Sequence, residues 1–521
     1  MIPDNSILPN DLSLLKKEII SLSEKDKRNK QEIKILKEQI RYLQDKLFGR
    51  KSEKIVNGSG FQQMLLFDEP VETPQVPDDE VEVPAHKRKN RGRKPLPDNL
   101  PRVDVIHDLT DQEKICACGC EKSRIGQEES EQLDIIPAKM QVIRHIRYKY
   151  VCKNCEGVEA DEGAVSIAPM PEQIIPKSFA TPGLLSYILT AKFVDALPFY
   201  RQEQQFRRLG VELCRATMCN WAVKVTDRCM PLLELLHSEI LSGPLINIDE
   251  TTLKVLKGNK KKNRSKSYMW IFRGGPPDKP SLVYKYNESR AGDMAVSYLR
   301  GYKGYIQTDG YKGYEIFDRK DGIHLIGCWA HARRKFVDVI KVAGKNRKKG
   351  AADEAIEFIK ELYRIERYAR NHELSYEELY KIRQEQSAPI LKEFKKWLDK
   401  KSVEAPSQSL LGKAIFYARN QWQYLERYID QGYLKPDNNA AENAIRPFVL
   451  GRKNWLFSAT TEGAHASAAM YSLVETAKAN QIEPYAYLRF LFERIHLAKT
   501  TEDYKNLLPQ YLDRKLLVTT P

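Results

Sequence analysis

From Leu15 to Leu47, apolar side chains recur in alternating steps of four and three: Leu15, Ile19, Leu22, Ile33, Leu36, Ile40, Leu43 and Leu47. A period of about 3.5 residues gathers one narrow seam along a helix, the pattern of a coiled coil rather than of a globular layer. With Leu15 at heptad position d, Ile19, Ile33 and Ile40 fall at a, while Leu22, Leu36 and Leu43 fall at d. Branched residues at a and leucine at d favour two parallel strands, so residues 1–55 are expected to form a homodimerising helix. Asp26 and Asn29 interrupt the seam, either fixing register at a cost in stability or marking a fray or stagger. The plainer alternative is an amphipathic helix packed on its own protein.

A chain of 521 residues is far longer than one domain of about 150 residues needs, so several units are expected. The mean hydropathy is −0.54, and without an uncharged apolar run of about 18 residues no membrane span is expected. The start, MIPDNSILPNDLS, lacks the basic and apolar segments of a secretory signal, which makes the cytoplasm the expected compartment. The net charge of +15 suits a polyanionic partner.

Residues 56–105 have the composition of a linker, with prolines at 70, 74, 77, 84, 95, 97 and 101. Acidic residues from Asp68 to Glu82 precede the cations Lys87, Arg88, Lys89, Arg91, Arg93 and Lys94. Arg91-Gly92-Arg93-Lys94-Pro95 resembles an AT-hook, whose extended core enters the narrow minor groove of A·T-rich DNA; the alternative is a solvated basic linker that touches phosphates. Both give salt-sensitive DNA affinity.

Nine cysteines are too few for a disulfide scaffold in so long a chain, yet five crowd together: Cys116, Cys118, Cys120, Cys152 and Cys155. Thiolates from Cys116, Cys118, Cys152 and Cys155 can surround Zn²⁺ tetrahedrally and let a small module over 106–170 fold around the metal. Cys120 is a fifth candidate for four places. Between the pairs, Val142, Ile146, Tyr148 and Tyr150 alternate with His145, Arg147 and Lys149, as in a strand with a basic face.

Residues 171–241 turn helical. Pro198 opens a helix containing Phe199, Gln202 and Phe206; Leu209-Gly210-Val211 turns; Met218, Trp221, Ala222 and Val225 follow at core spacing. The pair is either a helix-turn-helix, with Arg215, Lys224 and Arg228 available to DNA, or ordinary helical packing.

The apolar run Leu245-Ile246-Asn247-Ile248 is expected to end at Asp249, and Gly304-Tyr305-Ile306-Gln307-Thr308 at Asp309. Carboxylates at two strand ends can share a cleft, held by a rigid sheet yet open to substrate. Further strands are expected at 267–272 and 281–286. Glu442 lies in Pro436-Asp437-Asn438-Asn439-Ala440-Ala441-Glu442, where Asp437 or Asn438 can cap a helix that Pro447 ends or bends. Asn439, Glu442 and Arg446 would share one helical face, and the bland reading of Glu442 is a surface ion pair with Arg446.

In combination these motifs resemble a DDE transposase of the insertion-sequence family sixty-six. The resemblance is carried by Leu47-Phe48-Gly49-Arg50-Lys51-Ser52-Glu53-Lys54, the Arg-Gly-Arg-Lys-Pro-Leu-Pro linker and the cysteine module. It continues through Ile248-Asp249-Glu250-Thr251, Thr308-Asp309-Gly310-Tyr311, the segment from Gly327-Cys328-Trp329-Ala330-His331 to Arg334-Lys335-Phe336, and Asn438-Asn439-Ala440-Ala441-Glu442-Asn443 before Arg446-Pro447. It implies a multidomain α+β chain with an RNase H-like α/β core, in which Asp249, Asp309 and Glu442 are the catalytic triad. It also implies double-stranded DNA as substrate, at element ends and target; assembly on DNA as a dimer or larger; accessory proteins of the same element; and a place at the bacterial nucleoid.

Carboxylates about 4 Å apart repel by roughly 1–4 kcal/mol per pair, a conflict that divalent cations remove. Two Mg²⁺ or Mn²⁺ ions would serve hydrolysis that frees a 3′-OH and then attack of that hydroxyl on a target strand. The core is expected over 242–345 and 433–460, interrupted by a helical insertion over 346–432, because 351–411 lacks glycine and Leu411, Ala414, Ile415, Ala418, Trp422, Leu425 and Ile429 form a stripe. A helical region over 461–521 follows, with Leu488, Leu491, Phe492 and Ile495 as its apolar face. His331, Arg334, Arg446 and Lys453 are candidate DNA contacts. Cys328 and His331 are spaced like metal ligands, but no second pair lies nearby, so they are not taken as a metal site. The competing functions are a noncatalytic zinc-dependent DNA-binding regulator and a metal-dependent nuclease or resolvase that never joins strands.

Overall fold

The computed structural model describes residues 12–48, 102–104, 140–151, 165–257, 266–344 and 347–517. The basic segment Arg91, Gly92, Arg93 and Lys94 and the clustered Cys116, Cys118, Cys120, Cys152 and Cys155 lie outside them. The chain divides into two compact units, residues 1–69 with 170–521, and residues 70–169.

In the first unit, the seam forms one helix, α1 (Leu12–Phe48), which continues through Asp26 and Asn29. Asp26 pairs with Lys30 one turn on, at 2.6 Å, so these polar residues do not fray the helix. Ile19, Leu22, Ile33, Leu36, Ile40 and Leu43 stay exposed.

The second unit contributes a short antiparallel pair, β1 (Lys149–Val151) and β2 (Val165–Ile167). The strand expected from Val142 is therefore confined to its last residues: β2 offers only three partners, and a ladder ends where its partner ends.

Three helices follow, α2 (Pro182–Phe193), α3 (Phe199–Arg208) and α4 (Arg215–Ser242). Thr181 caps α2, and Gly210 turns between α3 and α4 at φ +79°. Phe199, Gln202, Phe206, Met218, Trp221, Ala222 and Val225 are buried as the spacing predicts. Their apolar faces merge into the core beneath the sheet, so the helices pack as a layer of that unit.

The sheet comprises β3 (Leu245–Leu253), β5 (Ser267–Gly274), β6 (Ser281–Asn287), β7 (Gly304–Gln307) and β8 (Ile323–Ile326); short β4 (Val255–Lys257) lies apart, and α5 (Gly292–Tyr298) links β6 to β7. The strand order is β6-β5-β3-β7-β8, with β6, β5 and β3 antiparallel and β3, β7 and β8 parallel. Ile246, Ile248, Ile271, Phe272 and Ile306 are fully buried, as strands covered on both faces require.

Helix α6 (Trp329–Ala343) leaves the sheet and seeds a second core. The insertion builds on it with α7 (Ala351–Asn371), α8 (Tyr376–Ile382), α9 (Ala388–Glu404), α10 (Leu410–Asn420) and the single turn α11 (Trp422–Leu425). Trp329, Phe336, Phe394, Ala414, Ile415, Ala418 and Leu425 meet there, and burial of each large side chain contributes about 1.5–3 kcal/mol. The chain returns to the sheet as α12 (Asn439–Trp455), β9 (Ser458–Thr460) paired with β4, α13 (Thr461–Ala479), α14 (Pro484–Arg494) and α15 (Thr501–Asn506). Leu488, Leu491, Phe492 and Ile495 are buried as expected. Among the described residues, no helix is long and apolar enough to cross a membrane.

Candidate active site

Three neutral amides fix the floor of the cleft. Asn247 of β3 and Gln307 of β7 are register partners, and Asn247 Nδ2 donates to Gln307 Oε1 at 2.9 Å and to Asn438 Oδ1 at 3.0 Å. Asn438 Nδ2 in turn donates to the Ile248 carbonyl at 2.9 Å, and Gln307 Nε2 to the Lys435 carbonyl at 2.7 Å. All three amides are buried. A buried amide without partners would be costly, so this network holds β3, β7 and the start of α12 in one relative position.

Each element carries a carboxylate just beyond its amide: Asp249 two residues after Asn247, Asp309 two after Gln307, and Glu442 in the first turn of α12. The three meet electrostatically. Burial pushes the Asp249 carboxyl well above the usual carboxylate range; Glu250, Asp309 and Glu442 push it further, while the Glu250 amide, donating to Asp249 Oδ1 at 2.8 Å, opposes. Burial also raises Glu442, against the pull of Arg334 and with the push of Asp437 and Asp309. Asp309 Oδ1 accepts the Tyr311 amide at 2.9 Å, and its own carbonyl accepts Tyr417 from the insertion at 3.1 Å. Gly310 has φ +81°, and a Cβ there would lie 2.9 Å from the Tyr417 hydroxyl, so the turn after Asp309 needs glycine on both counts.

One expectation is corrected and another narrowed. Asp249 does not end its strand: β3 continues to Leu253 because Ser267–Arg273 of β5 pair with it throughout, so Asp249 is presented from mid-strand. Of the two expectations for Pro447, ending or bending the helix, the first does not hold: α12 runs on through it to Trp455. Phe448 is buried beyond it, and the Tyr284 hydroxyl donates to the Ala444 carbonyl in the preceding turn. Core packing outweighs the local cost of the proline.

Glu442 is not a surface residue, for its side chain is only 13% exposed, and His331 Nδ1 and Arg334 Nη2 of α6 approach it at 3.5 and 3.9 Å. Its Oε1 atom and His331 Nδ1 are buried without a hydrogen-bond partner, as are Asn439 Oδ1 and Asn443 Oδ1. Burial, with Arg334 and Lys335, pushes His331 down to about 4, although Asp309 pulls the other way. Crowded carboxyls, with Asp249 and Glu442 raised by burial, and an orphaned Glu442 oxygen fit a cation-binding cleft.

The remaining expected contacts are dispersed. Arg215, Lys224 and Arg228 are exposed on α4, Arg446 is half-buried near Glu442, and Lys453 is exposed in the last turn of α12. Sequence reasoning missed Arg452, which donates to Thr251 and Thr252 at 3.1 Å and fastens α12 to β3. It also missed Glu250, buried against Arg290 and the Tyr314 hydroxyl on the opposite strand face from Asp249. It missed the amides too, although Asn247 and Gln307 stand at the same offset before their aspartates, a signal that could have found them.

Comparison with known proteins matches four segments of the chain. Residues 177–466 match the model described as "Transposase IS66 family", and residues 472–510 the "IS66 C-terminal element". Residues 113–156 match a "zinc-finger binding domain of transposase IS66", and residues 35–105 "Transposase C of IS166 homeodomain". Among curated proteins, the chain is 33% identical to the uncharacterized protein y4jD of Sinorhizobium fredii over 91% of this chain and 94% of that one. It is 29% identical to the uncharacterized protein y4qI of the same organism, over 94% of this chain and 91% of that one. With more than half its length matched by the first of these models, the chain belongs to the IS66 transposase family.

Proposed function

We propose that the protein is a DDE-type DNA transposase with an RNase H-like core, cleaving insertion-sequence ends and transferring the freed 3′-OH to target DNA. The observation that carries this is the amide-locked floor, which brings Asp249, Asp309 and Glu442 from three remote segments into mutual electrostatic reach. Carboxyls so crowded favour neutral forms or bound cations, which suits them to hold divalent metal. When bound, two Mg²⁺ or Mn²⁺ ions would offset charge on the scissile phosphate and activate the attacking oxygen. Arg334 and Arg446, beside Glu442, offer positive charge to the phosphate, and Asn439 and Asn443 flank it with unpaired amide oxygens. The exposed cations of α4 and Lys453 would hold duplex DNA. DNA would be met in the cytoplasm, at the nucleoid.

The exposed α1 seam supports a parallel homodimer, with larger assemblies on paired ends. Deleting residues 1–55 should convert the dimer to monomer by mass measurement; an unchanged mass would remove the coil from dimerisation. Cys116, Cys118, Cys152 and Cys155 are proposed as zinc ligands within the matched zinc-finger segment, so Cys152→Ser should lose zinc by metal analysis. The chemistry is tested by incubating the protein with Mg²⁺, its element ends and a target plasmid, following nicks and joined products. Asp249→Asn, Asp309→Asn and Glu442→Gln should each abolish both. Undiminished cleavage in all three would reject the site; cleavage without joining would instead mark a nuclease.

A further inference from the structure

Cys328 and His331 alone are a weak metal signal, but the fold supplies a third donor. Cys328 is the residue that opens α6, His331 lies in its first turn, and Glu442 reaches the same point from α12. The thiol sulfur, an imidazole nitrogen and a carboxylate oxygen all lie within 4.8 Å of one another. His331 Nδ1 and Glu442 Oε1 face each other at 3.5 Å, and neither has a hydrogen-bond partner. Tetrahedral Zn²⁺, with bonds of about 2.0–2.1 Å to nitrogen and oxygen and about 2.3 Å to sulfur, separates N from O by about 3.4 Å and S from N by about 3.6 Å. The imidazole–carboxylate gap of 3.5 Å already matches, and the sulfur lies within 4.8 Å of both.

We infer that Cys328, His331 and Glu442 form a second cation site, selective for soft divalent ions of the zinc class, which competes with the acidic triad for Glu442. The donor set decides the class: Mg²⁺ takes oxygen ligands in octahedral geometry, whereas thiolate and imidazole favour Zn²⁺ or Cd²⁺. Burial keeps the Cys328 sulfur protonated in the free protein, so the incoming ion must displace that proton to solvent. The backbone N–H of Asn438, the N-cap of α12, donates to the sulfur at 3.3 Å and supports the thiolate so formed. Arg334, 34% exposed and 3.9 Å from Glu442, opposes an added cation, so the donor atoms must outweigh it. An ion held here withdraws Glu442 from the triad and stops the reaction proposed above, on which this consequence rests; the binding itself does not depend on it.

The test uses the full-length chain with its cysteine module saturated by Zn²⁺. Cd²⁺ is added, excess is removed, and metal is counted alongside the ultraviolet thiolate–cadmium band. Wild type should hold one more equivalent than Cys328→Ser, His331→Asn or Glu442→Gln, and Asp249→Asn should keep it. Equal counts in wild type and His331→Asn, a variant that leaves the buried sulfur in place, would overturn the site. Loss of the extra equivalent in Asp249→Asn would also overturn it, by assigning the ion to the triad. Failure of the wild type to cleave DNA in Mg²⁺ would instead reject the transposase reading and leave these counts standing.

Discussion

Arg383 in the helical insertion and Glu442 in the cleft are both sheltered charges, and the protein treats them oppositely. Arg383 is fully buried, and its donors are all used: Nε and Nη2 on Glu366 at 2.8 and 2.7 Å, Nη1 on the Tyr428 and Gln431 carbonyls, Nη2 also on the Leu434 carbonyl. Glu442 keeps an orphaned oxygen, and burial with nearby carboxylates pushes it toward neutrality. A saturated buried charge is scaffold, here clamping the insertion's last turns before the chain re-enters the sheet. An unsaturated one is an invitation to a ligand, because its desolvation is offset only when something arrives.

The sharpest test of that contrast is to neutralise each side. Glu442→Gln should cut DNA cleavage by about 10⁴-fold, ~5 kcal/mol of transition-state stabilisation, with no loss of melting temperature in the metal-free protein. A large fall in melting temperature would show the carboxylate to be structural. Arg383→Met should do the reverse, stripping Glu366 of its ion pair and three carbonyls of their guanidinium donor at a cost of about 3–5 kcal/mol in chemical denaturation. Should Arg383→Met unfold no more readily than wild type, saturation would cease to mark scaffold.

Between these extremes lies the amide floor, which is scaffold that acts on chemistry. Asn438→Ala removes the link to both Asn247 and Ile248 and should lower cleavage by about 10–100-fold, as expected when positioning is lost by a fraction of an ångström. It should also cost about 1–3 kcal/mol of stability, and DNA affinity measured by gel shift should hold. Equal loss of affinity and cleavage would mean that the cleft as a whole had collapsed.

The same contrast explains what was legible. Helices α3, α4 and α10 follow local periodicity, so Phe206, Trp221 and Ile415 could be placed in cores from spacing alone. The carboxylates could be identified as candidates, but not how each is presented. Whether Asp249 ends a strand depends on β5, a partner that local sequence around Asp249 does not contain. Pro447 left open whether α12 ends there, and the answer lies with Phe448, whose burial beyond it carries the helix on to Trp455. Cys328 and His331 were half a motif because Glu442 arrives only after the whole insertion has folded back.

The smallest expected effect tests whether saturation also matters at a partly exposed pair. Asp353 in the first turn of α7 binds Arg347 through both oxygens, at 2.5 and 2.6 Å, and accepts the Gly350 amide at 2.8 Å. Arg347 first, then the Gly350 amide, hold its carboxyl below the usual value of 3.8 despite partial burial. A carboxyl depressed in the folded state adds stability above its unfolded value and loses it as pH falls through the folded one. Asp353→Asn should therefore cost about 1 kcal/mol at pH 7, and the gap to wild type should close as the pH drops below 3.8. Urea titrations of both proteins across that range measure it. A gap that persisted in acid would assign the contribution to side-chain packing rather than charge, and would confine the link between saturated charge and stability to deeply buried groups such as Arg383.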